Sequence, residues 1–187
     1  MAADDWTLVI DGWDPADEGR REAILTYPAT YAAGCFNRLS DTIGDQTVES
    51  ESMVNLPNWL DLRFAVEDGP WFAMAEAEVV EHRLTLDMRR GLLVRRLRFV
   101  DAAGRHTTVR QRRFVHMGNP HLAGLQTVVA AEDWTGTLRV SSGVDGSVTN
   151  SGVARYRDLS ARHLTVLAQR EPDPSSVLLV ARTTQSR

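Results

Sequence analysis

The chain has 187 residues, 43% of them apolar, which is enough for the core of one domain or of part of a larger one. Its formal charge is −4 and its pI is about 5.7, so the whole molecule repels polyanions. Composition therefore excludes the overall basic field that is typical of nucleic-acid-binding domains.

The N-terminal sequence MAADDWTLVIDGWDP lacks a basic segment followed by a long apolar one, so we expect no signal peptide. No apolar run approaches the roughly 18 residues of a membrane span. The single cysteine, Cys35, lies between apolar neighbours and indicates a buried thiol in a reducing compartment. We expect a soluble, cytoplasmic protein that has no membrane partner.

Short apolar or alternating runs, separated by turn residues, dominate the chain from end to end. Turn signals recur at Asp11-Gly12, Asp68-Gly69-Pro70, Gly118-Asn119-Pro120 and Asp145-Gly146. Such spacing predicts an antiparallel all-β fold in one domain, 1–187. The runs, in chain order, are 6–10, 59–66, 92–100, 106–117, 122–131, 137–144, 163–170 and 175–183.

Helical signals are few. Residues 14–25 begin with Asp14-Pro15 and carry acidic residues in the first turn, which predicts a short N-terminal helix. Residues 73–84, AMAEAEVVEHRL, have the propensity of a helix but neighbours typical of strands, so both assignments stay open.

Candidate catalytic groups do not assemble into a recognisable motif. His116 and His121 flank a turn, with no further ligand nearby, so we expect no metal site. Glu76, Glu78 and Glu81 are expected on a solvated face, although glycoside chemistry does use paired carboxylates. The sequence alone shows no catalytic machinery.

The segment VNLPNWL, residues 54–60, offers two amides and an indole. Asn55, Asn58 and Trp59 can satisfy sugar hydroxyls or stack on a sugar ring, so they are candidates for facing substrate or a neighbouring domain. A structural role is favoured, with Asn58 capping backbone groups and Trp59 filling a core edge.

Nine arginines fall between Arg89 and Arg113, and all but Arg89 and Arg90 lie in the best-defined hairpin of the chain. On the first strand, alternation places Leu93, Leu97 and Phe99 on the same face as Arg95. On the second strand, it places Val109, Val115 and Met117 on the same face as Gln111 and Arg113. The other face carries Arg96, Arg98, Arg110 and Arg112. Because a buried arginine needs a partner, Arg95 and Arg113 predict internal ion pairs with carboxylates or bonds to carbonyls.

Four segments together resemble the N-terminal domain of glycoside hydrolase family 65, the maltose, trehalose and kojibiose phosphorylases and related α-glucoside hydrolases. They are YPATYAAGCFNRL, ESMVNLPNWLDLRF, the stretch from LTLDMRRG to HLAGL, and WTGTLRVSSGVDGSVTNSGVARYRDLSARHL. The resemblance runs from about Trp6 to Arg187. It implies a large, galactose-mutarotase-like supersandwich that packs against a catalytic (α/α)6 barrel and contributes to dimer contacts.

Two departures limit what the resemblance implies. A stretch that family members have near Ala23–Tyr27 is missing, and the barrel that holds the catalytic residues is not in this chain. We therefore expect an incomplete sandwich, truncated on its C-terminal side, with no catalytic residue and no turnover by itself.

The whole enzyme is expected to invert at the anomeric carbon of an α-glucoside disaccharide, transferring glucose to phosphate or to water. Inorganic phosphate would be a co-substrate, with no metal or organic cofactor. Expected partners are the disaccharide, the chain's own barrel and a second copy in a homodimer. The alternative is a free-standing carbohydrate-binding or structural β-sandwich, and nucleic-acid binding through the arginine hairpin is the least favoured hypothesis.

Overall fold

The computed structural model describes residues 7–12, 29–73, 76–150 and 161–185, and these contain no α-helix. None of the described residues forms a helix long and apolar enough to cross a membrane. The predicted helix over 14–25 lies outside the described residues. The strands are β1 Thr7–Gly12, β2 Phe36–Ile43, β3 Gln46–Met53, β4 Asn58–Val66, β5 Glu78–Asp87, β6 Leu92–Val100, β7 His106–Val115, β8 Ala123–Ala131, β9 Leu138–Asp145, β10 Leu164–Asp173 and β11 Ser176–Thr183.

The strands form one five-stranded sheet, ordered β1-β5-β6-β7-β8, and three pairs, β2-β3, β4-β9 and β10-β11. Every pair with a described register is antiparallel. Successive strands are mostly neighbours because short turns can join antiparallel strands directly. The all-β, antiparallel β-sandwich class predicted from the sequence is confirmed.

Residues 73–84, for which helix and strand were both open, contribute most of β5. A β-bulge shifts the register between Val79 and Glu81. The extra residue lets Val79 and His82 both face inward, with 6% and 4% of their surface exposed. The bulge breaks the period of two that marks a strand, so the sequence pattern was ambiguous here.

The chain divides into two compact units, Met1–Leu25 with Phe64–Arg139, and Thr26–Arg63 with Val140–Arg187. The division falls within β4 and β9. The core of the first unit is the inner face of the five-stranded sheet, where Leu97, Phe99 and Val109 are buried. The second unit buries Val54 and Leu164 together with the polar side chains of Asn37, Asn55 and His163.

The predicted hairpin of β6 and β7 is confirmed, with Leu97 opposite Val109 and Arg96 opposite Arg110. Its inner face is buried at Leu97 and Val109, as alternation predicts. Val115 and Met117 were expected on an apolar face, but they are 66% and 94% exposed. β7 ends at Val115, so the alternation does not continue into the turn at 116–121.

Candidate functional site

Asn55 lies at the junction of three chain segments in the second unit. Its Oδ1 accepts a hydrogen bond from the backbone N–H of Thr30 at 2.9 Å, and its Nδ2 donates to the carbonyl of Thr149 at 3.1 Å. The Asn55 N–H donates in turn to Oδ1 of Asn150. Only 2% of the residue is exposed. These contacts favour the structural interpretation, because a buried amide used in this way has little capacity left for a sugar.

Asn58 and Trp59 are half-buried at the beginning of β4. Oδ1 of Asn58 accepts from the N–H of Leu60 at 3.0 Å, the local turn-closing contact expected of asparagine. Both side chains remain partly accessible. Their role in facing substrate or a barrel stays a prediction.

Arg95 and Arg113 lie on the inner face of the five-stranded sheet and are half-buried. Nε of Arg95 donates to Nε2 of His82 at 3.2 Å, so an imidazole contacts this guanidinium. Burial lowers the pKa of both arginines, and the charge of Arg113 lowers the pKa of Arg95 further. In the described part of the chain, Arg113 has no carboxylate at ion-pair distance. The predicted ion pairs stay a prediction.

Metal-binding geometry does not occur among the described residues, where no three His, Cys, Asp or Glu side chains are grouped to hold an ion. His116 instead organises the turn predicted around it. Its Nδ1 accepts hydrogen bonds from the N–H groups of Gly118 and Asn119 at 3.1 and 2.8 Å.

An aromatic pocket of about 330 Å³ opens in the first unit, at the end of β4. Phe64 and Phe72 stack with their ring centroids 4.9 Å apart, and Phe72 lies 4.1 Å from Phe99. Such ring pairs each contribute about 0.5–1.5 kcal/mol beyond their burial. The volume is within the range of small-molecule sites, and the lining is mainly apolar.

Trp71 forms one edge of the aromatic pocket and is 41% exposed. Arg139 lies over its ring at 5.2 Å, and Arg139 is itself fixed by bonds to the carbonyls of Glu67 and Gly69, both 2.7 Å long. Cation–π contact and backbone bonds therefore fix the orientation of an exposed indole. A fixed, exposed ring is the kind of platform on which a sugar or another flat apolar face can stack.

The polar end of the aromatic pocket carries Glu76, Asp101 and Arg105. Partial burial alone would raise the pKa of Asp101, but hydrogen bonds from Arg105 and Ala103 outweigh it and lower the pKa. Nε of Arg105 donates to Asp101 at 2.7 Å. Asp101 is thus ionised at neutral pH, and it does not supply the protonated carboxyl that glycoside cleavage requires.

The sequence did not single out the aromatic pocket, because its rings come from separate segments of the chain. The available signal was Trp71-Phe72, two large aromatics directly after the turn at Asp68-Gly69-Pro70. The sequence also indicated no structural role for Asn150, which it showed only as part of the motif DGSVTNSGV. In the structure, Nδ2 of Asn150 donates a hydrogen bond to the carbonyl of Met53 at 2.7 Å.

Comparison with known proteins assigns the chain to a family. The family model described as glycosyl hydrolase family 65, N-terminal domain, matches residues 15–187. The chain belongs to this family. Its resemblance to family 65, first seen in the four quoted segments, is therefore confirmed.

Curated relatives of this family 65 domain include both uncharacterized and named enzymes. An uncharacterized glycosyl hydrolase of Mycobacterium tuberculosis (strain H37Rv) is 45% identical over 98% of the chain and 15% of its own length. A trehalose 6-phosphate phosphorylase of Lactococcus lactis is 34% identical over 86% of the chain and 20% of its own. A kojibiose phosphorylase of Caldanaerobacter subterraneus is 29% identical over 92% and 20%.

The chain thus spans a fifth or less of the length of these three relatives. The alignment with the mycobacterial protein covers 204 residues, more than the 187 of this chain, so that relative contains residues without a counterpart here.

Proposed function

We propose that the chain is the N-terminal, non-catalytic part of an α-glucoside phosphorylase or hydrolase of the trehalose, maltose or kojibiose type. The observation that carries the proposal is the match of the family 65 N-terminal domain over residues 15–187. The similarity to kojibiose and trehalose 6-phosphate phosphorylases supports it.

In the proposed whole enzyme, a separate (α/α)6 barrel carries out the reaction. Glucose passes from an α-glucosidic disaccharide to phosphate or water, with inversion at the anomeric carbon. This chain supports the barrel and contributes to a cytoplasmic homodimer.

An activity assay of the 187-residue protein tests whether this chain is catalytic without the barrel. We expect no phosphate-dependent release of glucose 1-phosphate, and no release of glucose, from trehalose, maltose or kojibiose. A full-length kojibiose phosphorylase serves as the positive control. Turnover that co-purifies with the 187-residue protein through two different columns would overturn the non-catalytic assignment.

A second candidate function is that of a carbohydrate-binding module, and the aromatic pocket favours it. Trp71 presents an indole held in place by Arg139, next to an apolar cavity of about 330 Å³. Sugar rings stack their apolar C–H faces on such indoles, while polar groups at the end of the pocket can bond to hydroxyls.

Titration with trehalose, maltose and kojibiose distinguishes the two functions. A binding module is expected to show saturable chemical shifts at the Trp71 indole, which the Trp71→Ala variant abolishes. The Trp59→Ala variant is the matched control, and loss of binding there would assign the sugar to residues 54–60 instead. If no sugar shifts any indole at millimolar concentration, the binding-module function is wrong.

A further inference from the structure

Three arginines lie side by side on the outer face of the five-stranded sheet. The register places Arg83 of β5 opposite Arg96 of β6, and Arg96 opposite Arg110 of β7. All three are exposed. Since neighbouring strands lie about 4.8 Å apart, three positive charges originate within about 10 Å across the sheet.

Two other arginines at this sheet are neutralised. Arg98 forms an ion pair with Glu132 at 2.7 Å, and Thr108 also donates to this carboxylate. Hydrogen bonds from Arg98 and Thr108 hold the pKa of Glu132 at about 2, which is the sign of a fully engaged anion. Arg90 pairs with Asp87 at 3.0 Å in the adjoining turn.

The row of Arg83, Arg96 and Arg110 differs from the two ion pairs because carboxylates do not balance its three positive charges. Only Arg96 has a carboxylate in reach, Glu81, at 3.4 Å. Arg83 and Arg110 have none at ion-pair distance among the residues whose side chains are described, within 29–73, 76–150 and 161–185. Like charges in directly opposite positions destabilise a sheet. A bound anion would relieve this repulsion.

The surface between the arginines is concave. Arg83, Arg96 and Arg110 surround a shallow recess of about 330 Å³, together with Thr85, Val94 and Thr108. Guanidinium groups match the oxygens of a phosphate in pairs of parallel hydrogen bonds. A hydroxyl such as that of Thr85 adds a further donor.

We propose that this recess is a binding site for a phosphate-type oxyanion, either inorganic phosphate or the phosphate group of a sugar phosphate. Arg83 and Arg110 bind its oxygens from opposite sides, and Arg96 divides its donors between the ligand and Glu81. A small anion fits better than a polyanion, because the basic row is short and the net charge of the chain is −4. The site needs only this sheet and is independent of the proposed function.

Calorimetric titration of the 187-residue protein with inorganic phosphate tests the site, with ionic strength held constant by sodium chloride. We expect saturable binding with a stoichiometry of one. Each of the variants Arg83→Gln and Arg110→Gln is expected to weaken the affinity about tenfold, and the double variant about a hundredfold. The control is Arg170→Gln, which removes an exposed arginine from β10 and should leave the affinity unchanged.

Thermal unfolding provides a second measurement that also reports on folding. Phosphate should raise the melting temperature of the wild type and of Arg170→Gln, but not that of the double variant. Without phosphate the double variant should melt no lower than the wild type, because the substitution removes repulsion between exposed charges. No binding above that of chloride, or equal losses in Arg170→Gln and the double variant, would overturn the proposal.

Glucose 1-phosphate and glucose 6-phosphate identify the source of the phosphate group. Equal affinity for both sugar phosphates and for inorganic phosphate would support recognition of the phosphate group alone. Tighter binding of one sugar phosphate, lost in the double variant, would support a site for that sugar phosphate. Tighter binding that survives the double variant would place the ligand elsewhere and overturn the proposal.

Discussion

Asn55 shows how a single amide side chain can fix a junction of three segments. Its bonds to Thr30 and Thr149, and that of its N–H to Asn150, connect parts of the chain that are 25 to 95 residues apart. From the sequence, Asn55 could be recognised as capable of hydrogen bonding in both senses, but its partners could not. Two of those partners are backbone groups, which look the same at every position of a sequence, and the third is the side chain of Asn150, 95 residues away.

Replacement of Asn55 should therefore destabilise the protein more than replacement of its neighbour in the same motif. We expect Asn55→Ala to lower the free energy of unfolding by about 2–3 kcal/mol, because it leaves buried backbone groups without partners. Asn58→Ala loses one local bond to Leu60 and should cost about 1 kcal/mol or less. Urea denaturation measures both, and equal losses would contradict the junction role.

At the scale of elements, alternation and turn residues predicted most strands but missed β2 and β3. This hairpin, Phe36–Ile43 and Gln46–Met53, turns at Gly44-Asp45, with Gly44 at φ +61°. Both of its faces are largely exposed, so no apolar period marks it. The strand assignment of β5 stayed open for a different reason. This strand does bury residues, but its bulge puts them out of the period of two.

The turn between β6 and β7 gives a prediction for one element. Gly104 has φ +77° and nothing within 4 Å of a Cβ placed on it, so an added methyl group would strain the backbone without a clash. We expect Gly104→Ala to cost about 1–2 kcal/mol in the free energy of unfolding.

Gly143→Ala in β9 is the control, because its φ is not positive and its Cβ would meet Asp61 at an ordinary 3.9 Å. Chemical denaturation should show it neutral or slightly stabilised. A Gly104→Ala variant as stable as Gly143→Ala would show that this turn adapts without strain.

At the scale of the whole molecule, family membership could be predicted from short motifs, but the sites could not. The motifs are local, whereas the aromatic pocket combines Phe64 of β4, Phe72 of the segment that follows β4, and Phe99 of β6. The second unit likewise ties its two segments together through side chains. Nδ2 of Asn37 donates to Nδ1 of His163 at 3.1 Å and to Oγ1 of Thr184 at 2.9 Å.

This buried bond predicts a dependence of stability on pH. Burial lowers the pKa of His163, an effect that Asp41 opposes in part, and a proton on Nδ1 would place two donors face to face. Because the folded pKa lies below the ordinary value of 6.5, the unfolded chain binds the proton more readily. The free energy of unfolding should therefore fall as the pH falls below about 6.5.

Urea denaturation of the wild type and of His163→Gln, at about pH 7.5 and about pH 5.5, measures this dependence. The variant should lose part of the decrease, since its amide carries no titrating proton. His121→Gln, at an exposed histidine, should keep the wild-type decrease. An identical decrease in all three proteins would assign the pH effect to other groups.

The division of the chain into two units has a consequence for synthesis on the ribosome. Residues 64–139 stand between the two segments of the second unit. When the β2–β3 hairpin emerges, Asn150, His163 and Thr184 have not yet been made. At roughly 5–20 residues per second, about 7 to 30 seconds pass between the synthesis of Asn37 and that of its partner Thr184, 147 residues later. During that interval the nascent hairpin exposes the edges of its strands, which can pair with another chain.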